Sequence, residues 1–197
     1  MRDIVKPTLI LFIICAVVTL SLSFTNAVTK DKIAQRVRLD EENARKEVLA
    51  LAESFEELEN LESILGSSPD MGLVKKAFKG LKGGETVGNV FLVESKGYGG
   101  TMVITVGIDS EGKLTGVKIG SNNETPGLGS KAKDKPFISQ FTGTMPKEPL
   151  TVVKSGKTKD EEINAISGAT ITSNAVVKAV QASIDVNNEL KKKGGDS

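Results

Sequence analysis

The residues able to do chemistry are concentrated in one stretch, Ser167-Gly168-Ala169-Thr170-Ile171-Thr172-Ser173, with a helix-like run from about Asn174. Elsewhere reactive side chains are sparse: no His, no Trp, one Tyr and one Cys. A chain of this make-up does redox work only through a bound cofactor. Small residues and hydroxyls at the opening of a helix suit a phosphate group. There the first turn offers free N–H donors and the positive end of the helix dipole. The same residues also describe a plain helix start, with Thr172 or Ser173 as N-cap and Gly168 in the turn. Local sequence leaves both readings open. The stretch is not a P-loop, because no Gly-Lys-Ser/Thr stands at the required spacing.

A second stretch, Glu124-Thr125-Pro126-Gly127-Leu128-Gly129, has the form of a Pro-Gly turn. Its unusual member is Leu128, a bulky apolar residue between glycines. Such a side chain either folds into the core or offers its surface to a flat ring.

Composition narrows the field further. Lys and Arg number 26 against 25 Asp and Glu, a net charge of +1. A nucleic-acid binder would carry a basic stripe instead. Cys15 stands alone, which excludes an intramolecular disulfide and the four thiolates of an iron–sulfur cluster. The lack of His removes the common zinc and haem ligand and any Ser–His catalytic pair. No metal site is expected, and no catalytic side chain stands out.

Around these stretches the pattern predicts an α+β chain. Residues 7–29 carry no charge and are bracketed by Lys6 and Lys30. They span roughly 34 Å as a helix, enough to cross a hydrocarbon core. A cleaved signal sequence ending near Thr25-Asn26-Ala27 is the competing reading. Continuation of the next segment as a helix favours an uncleaved anchor over residues 1–30. Lys30, Lys32, Arg36 and Arg38 outnumber Arg2 and Lys6, so a count of positive charges would put the C-terminal side in the cytoplasm. Residues 31–85 are expected to form a helical stalk and linker. Ile33, Val37, Ala44, Val48, Leu51, Ala52, Phe55 and Leu58 share one helical face. Glu56, Glu57, Glu59 and Glu62 form a solvated face, and Gly66-Ser67-Ser68-Pro69 breaks the helix.

A mainly antiparallel sheet is expected within residues 86–190. Its signals are the apolar runs at 90–93 and 101–108, a turn at 109–112 and a strand at 114–119. A short helix with Pro136 in its first turn and a strand at 150–153 follow. A C-terminal helix carries Val176, Val177, Val180 and Ile184 on one stripe, and residues 191–197 form a flexible tail.

Three ordered blocks then carry a resemblance: Lys96-Gly97-Tyr98-Gly99-Gly100, the 124–129 stretch and the 167–173 stretch, behind a single N-terminal anchor. Together they resemble the FMN-binding domain of RnfG, the G subunit of the Rnf electron-transport complex. They are similar also to the C subunit of the sodium-pumping NADH:quinone reductase. The resemblance implies FMN esterified through its phosphate to Thr170, attached from FAD by a flavin transferase. It implies that Ser167, Gly168, Ala169 and Thr172 surround the attachment point. It implies that Glu124, Thr125, Gly127, Leu128 and Gly129 help form the flavin's surroundings. The family often has Asp six residues before the acceptor. Asn164 stands there in this chain, with the same size and an oxygen acceptor.

On this resemblance the chain is expected to be an electron-transfer subunit of a membrane-bound, ion-translocating ferredoxin:NAD oxidoreductase, not catalytic by itself. Its partners would be the other Rnf subunits, the flavin transferase and the membrane, with no nucleic acid. The soluble part would lie on the outer face of the cell membrane, against the charge count. The alternatives are a flavoprotein subunit of the quinone-reducing sodium pump, a stand-alone extracytoplasmic flavin shuttle, or a non-catalytic anchored ectodomain that binds a ligand.

Overall fold

In the computed structural model, residues 2–59, 61 and 70–194 are described. The chain divides into two compact units, Met1–Glu41 and Glu42–Ser197.

The first unit consists of the N-terminal part of helix α1, Arg2–Val48. An 18-residue window here reaches a mean hydropathy of 2.4, so the helix is long and apolar enough to cross a membrane. Leu9, Ile10, Leu11, Phe12, Ile13 and Ile14 are all exposed. The hydroxyls of Thr19, Ser21, Thr25 and Thr29 each donate to the carbonyl four residues back, at 2.7–2.9 Å. That bonding satisfies polar groups inside the helix, as an apolar medium requires.

The second unit is built on five antiparallel strands in chain order: β1 Ser54–Glu57, β2 Val74–Lys82, β3 Glu85–Lys96, β4 Thr101–Asp109 and β5 Leu114–Ile119. Two positive-φ glycines, Gly83 and Gly84, close the β2–β3 hairpin, where the twist of paired strands favours that backbone. At the β4–β5 turn, Asp109 Oδ1 accepts from the backbone N–H groups of Glu111, Gly112 and Lys113. A four-residue helix, α2 Lys135–Ile138, has Pro136 at its start as expected. Strands β6 Thr151–Val153 and β7 Glu162–Asn164 form a separate parallel pair. Helix α3, Thr170–Gly194, closes the fold.

One sheet face and α3 enclose the main core. Phe91, Val93, Met102, Ile104, Val106 and Ile108 meet Val176, Val177, Val180 and Ile184 there, all buried. The expected stripe on the last helix is thus the buried one. Within this interface Asn89 donates an amide hydrogen to Asn187 Oδ1 at 2.9 Å, which pairs two polar groups that would otherwise oppose burial. The opposite sheet face holds a smaller cluster of Val48, Leu49, Phe78 and Val90. Here the end of α1 rests on glycines. An added Cβ at Gly107 would overlap the Val48 carbonyl oxygen, and one at Gly116 would lie 3.1 Å from Val48 Cα. The Arg45 guanidinium lies 4.4 Å from the Phe78 ring centroid, a cation–π contact.

Four expectations are corrected. The helical stalk within residues 31–85, expected to carry Leu51, Ala52, Phe55 and Leu58 on its apolar face, ends at Val48, because residues 54–57 pair with β2 instead. Phe55 then packs beside Phe78's cluster and Leu58 against the main core, so tertiary packing overrides a helical spacing. Glu56 and Glu57 accordingly lie on an exposed edge strand, with Glu57 paired to Lys76 at 3.4 Å. The sheet begins well before residue 86, since β1 and β2 belong to it. The supposed tail is helical through Gly194, and α3 starts at Thr170, four residues earlier than expected. Glu62 and the 66–69 break lie outside the described residues, as do residues 195–197.

Candidate cofactor site

Three loops converge at the N-terminal end of α3. The first, between β3 and β4, is closed by Gly97 N–H donating to the Gly100 carbonyl at 2.8 Å, and it projects Tyr98 outward. The second follows β5 and holds Glu124, Thr125, Leu128 and Gly129. The third is the Ser167–Gly168 turn, where Gly168 takes φ +75°, a value that favours glycine. Its Ala169 N–H donates to the Ile166 carbonyl, so the turn delivers the chain directly into α3.

The loops enclose a cavity of about 550 Å³, lined by Tyr98, Glu124, Thr125, Leu128, Gly129 and residues 168–172. Its size lies within the usual range for small-molecule sites. Tyr98 is 71% exposed, Ile171 57% and Leu128 43%. They contribute apolar surface to the cavity. Leu128 does not fold into the core; its Cδ2 would lie 3.2 Å from a Cβ at Gly168.

The hydroxyls in the 167–173 stretch have different fates. Ser173 is fully buried: its Oγ accepts from Ile166 N–H and donates to the Ala169 carbonyl, each at 3.0 Å. Thr172 Oγ1 is also buried and donates to Glu124 Oε2 at 2.6 Å. Ser167 is exposed but does not line the cavity. Thr170, the first residue of α3, is exposed, lines the cavity and carries a hydroxyl with no protein partner among the described residues. The N–H groups of Thr170, Ile171 and Thr172 precede the first intrahelical bond, Ser173 N–H to the Ala169 carbonyl. Helix geometry leaves them as donors for an anion.

Glu124 is only 6% exposed and bridges the loops. Besides Thr172, it accepts from Gly99 N–H through Oε1 at 2.9 Å. A Cβ at Gly97 or Gly129 would overlap this carboxylate, and one at Gly99 would overlap the Asn123 carbonyl oxygen. These glycines let backbone and carboxylate approach closely.

The chain matches the FMN-binding domain family over residues 97–185 and the RnfG N-terminal region family over residues 1–48. It is 41% identical to the G subunit of the Na(+)-translocating ferredoxin:NAD(+) oxidoreductase complex of Acetobacterium woodii, over 97% of this chain and 95% of the relative. The chain belongs to the RnfG family. It is also 29% identical to the G subunit of the ion-translocating oxidoreductase complex of Stutzerimonas stutzeri, over 88% and 76% of the two chains. Its fold matches the crystal structure of Shewanella oneidensis NqrC with a TM-score of 0.58. That alignment is 19% identical and covers 74% of this chain and 86% of that one. The protein is therefore a subunit of an ion-translocating ferredoxin:NAD oxidoreductase complex, working with other Rnf subunits. It carries an FMN-binding domain behind an N-terminal apolar helix suited to a single-pass anchor.

The cavity of this RnfG chain gathers Thr170, Gly168, Ala169, Thr172, Glu124, Thr125, Leu128 and Gly129 in one place. Ser167 and Gly127 lie outside its lining; Gly127 shapes the loop at φ +77° and donates its N–H to Ser130 Oγ. Sequence reasoning named neither Tyr98 nor Ile171 as site residues, although both sit inside the matching blocks. Their signal was an aromatic or bulky apolar residue bracketed by glycines or hydroxyls. Asn164 closes the loop ahead of the 167–173 stretch. Its Oδ1 accepts from Lys157 N–H at 3.1 Å, and its backbone exchanges two bonds with the Gln140 amide. An acceptor oxygen is the one hydrogen-bonding role of the Asn164 side chain among the described residues, and an Asp carboxylate could accept in the same way. Next to it, Glu162 accepts from Thr158 N–H at 2.7 Å, Thr158 Oγ1 at 2.9 Å and Lys159 N–H. The Thr158 bonds foremost hold its carboxyl below the ordinary glutamate range.

The site fits FMN. A phosphate has the free N–H groups and dipole end of α3, and a ring has the apolar surfaces of Leu128, Ile171 and Tyr98.

Proposed function

We propose that this subunit relays electrons through an FMN held covalently at Thr170, with the flavin domain on the outer face of the membrane. The observation that carries the attachment is the state of the hydroxyls. Thr172 and Ser173 are buried and hydrogen-bonded within the protein, while Thr170 is exposed at the cavity and has no protein partner among the described residues. When bound, FMN supplies one- and two-electron chemistry that none of this chain's side chains can provide.

The protein's part is attachment and placement. Thr170 Oγ1 serves as the ester oxygen, formed when a flavin transferase moves the FMN half of FAD onto it; AMP leaves and the hydroxyl proton is lost. The N–H groups at the start of α3 and the helix dipole stabilise the phosphodiester's charge. Leu128, Ile171 and Tyr98 cover ring surface from water. A covalent link keeps the cofactor from diffusing away where the site opens to solvent. The outer-face assignment rests on the family resemblance, against the charge count.

Two experiments test the reading. Denatured full-length protein from transferase-containing cells should fluoresce in a gel under ultraviolet light, Ser167→Ala should stay bright, and Thr170→Ala should be dark. A dark wild-type band, or a bright Thr170→Ala band, would overturn the covalent assignment. For orientation, a cysteine added at exposed Lys159 in a Cys15→Ala background should react with an impermeant thiol reagent in intact cells. Labelling only after permeabilisation would place the domain inside.

A further inference from the structure

The resemblance places Glu124 among the flavin's contacts, but its carboxylate oxygens already serve the protein. Oε1 accepts from Gly99 N–H, and Oε2 accepts from Thr172 Oγ1 in the first turn of α3. The group is 6% exposed and forms part of the cavity wall. One of its partners lies beside Tyr98 and the other lies two residues from Thr170. We propose that Glu124 is a positioning residue: a clasp that fixes the Tyr98 loop relative to the hydroxyl of Thr170, so that the cavity is formed before the cofactor arrives. The proposal rests on the reading that FMN occupies this cavity.

Three further observations support a purpose-built clasp. Gly97 and Gly129 flank the carboxylate so closely that a Cβ at either would overlap it. Gly99 donates the N–H, and a Cβ there would strike the Asn123 carbonyl oxygen. Asn122 Oδ1 accepts from the N–H of Glu124 at 3.3 Å, which orients the residue from its own side. A buried carboxylate favours whatever geometry supplies its donors, and here one donor comes from the β3–β4 loop and the other from the first turn of α3. Losing either donor leaves an unmatched polar group on the cavity wall. That cost is large enough to shift a loop equilibrium about tenfold or more.

The test uses the full-length chain in detergent, first prepared without flavin transferase. In this flavin-free protein, Glu124→Ala and Thr172→Val should speed hydrogen exchange at the Gly99 amide by about tenfold. They should also lower the anisotropy of the tyrosine emission, which reports on one residue because the chain has a single Tyr and no Trp. Thr172→Ser restores the donor and should restore both signals. Gly129→Ala leaves the Glu124 and Thr172 side chains unchanged but displaces the carboxylate, so it should behave as Thr172→Val. With transferase present, the rate of flavin loading should fall about tenfold in the same three variants and recover in Thr172→Ser.

Unchanged Gly99 exchange in Glu124→Ala would overturn the clasp, as would a loading rate that falls without any change in exchange. Should Glu124→Ala lose its melting transition, the Val and Ser variants at Thr172 decide the matter by the same criteria. Failure of the attachment reading is separate: it shows as a fluorescent Thr170→Ala band, while Gly99 exchange still reports on the clasp.

Discussion

Glycine clears space at two places in the second unit, for opposite purposes. On the outer sheet face, Gly80, Gly107 and Gly116 leave room for Val48, Leu49 and Ala52, so an apolar helix end can lie against strands. At the end of α3, Gly97 and Gly129 leave room for one carboxylate. The first arrangement is packing, held by burial of Val48, Leu49, Phe78 and Val90. The second is polar, held by two hydrogen bonds that tie the Glu124 loop to the β3–β4 loop and to the first turn of α3. Packing resists distortion in every direction, whereas hydrogen bonds fix direction and can be broken one at a time. The difference separates what keeps this subunit folded from what readies its cofactor site.

The contrast can be broken from the packing side first. Phe78→Ala empties the centre of the smaller cluster and removes the Arg45 contact. It should cost about 3–5 kcal/mol in denaturant unfolding, while the flavin-free Gly99 amide keeps its local protection below global unfolding. A loss of less than about 1 kcal/mol would show that the α1 seat contributes little to the fold.

A finer contrast lies within the seat. Gly107→Ala drives a Cβ into the backbone carbonyl of Val48 and should cost about 1–3 kcal/mol. Gly80→Ala instead meets the end of the Leu49 side chain at 2.5 Å and the Ala52 methyl at 3.0 Å, side-chain atoms rather than a backbone carbonyl. It should cost clearly less by the same measurement. Equal costs would mean that the helix end, not the side chain, yields.

The smallest effect expected is electrostatic. The folded-state pKa of Glu162 is lowered by its Thr158 bonds, so its contribution is present above the ordinary glutamate range. That contribution disappears as pH falls through the lowered value. Melting temperatures of the native protein and Glu162→Gln should therefore differ slightly at neutral pH and converge in acid. Divergence in acid would reverse the assigned sign. The apolar seat holds no comparable group among the residues of its cluster and should not share this acid sensitivity.

Legibility in the sequence followed the range of the interaction. The strands at 101–109 and 114–119, the Asp109 turn, the Pro136 helix and the buried stripe of α3 all declare themselves within a few residues. Residues 49–59 did not. Their apolar spacing fits a helix, and only pairing with β2, far along the chain, makes residues 54–57 a strand. The start of α3 was misplaced for a related reason. Thr172 and Ser173 look like caps, but a partner in the Glu124 loop and an inward turn of Ser173 place both inside the helix.

What the sequence determined by itself is the chemistry on hand: an apolar span, no histidine, a lone thiol, and a hydroxyl-rich stretch that suits either a phosphate group or a capped helix start. Composition and short-range spacing carry those facts, because they depend on residue identity and local backbone preference. The resemblance singled out Thr170 among the four hydroxyls. Only the tertiary structure supplied the physical difference, burying Thr172 and Ser173, leaving Ser167 outside the cavity lining and Thr170 exposed within it. It also turned Glu124 from a loop residue into a bridge between Gly99 and Thr172. Both outcomes depend on contacts between segments distant in sequence, where burial and hydrogen-bond partners are set by the fold.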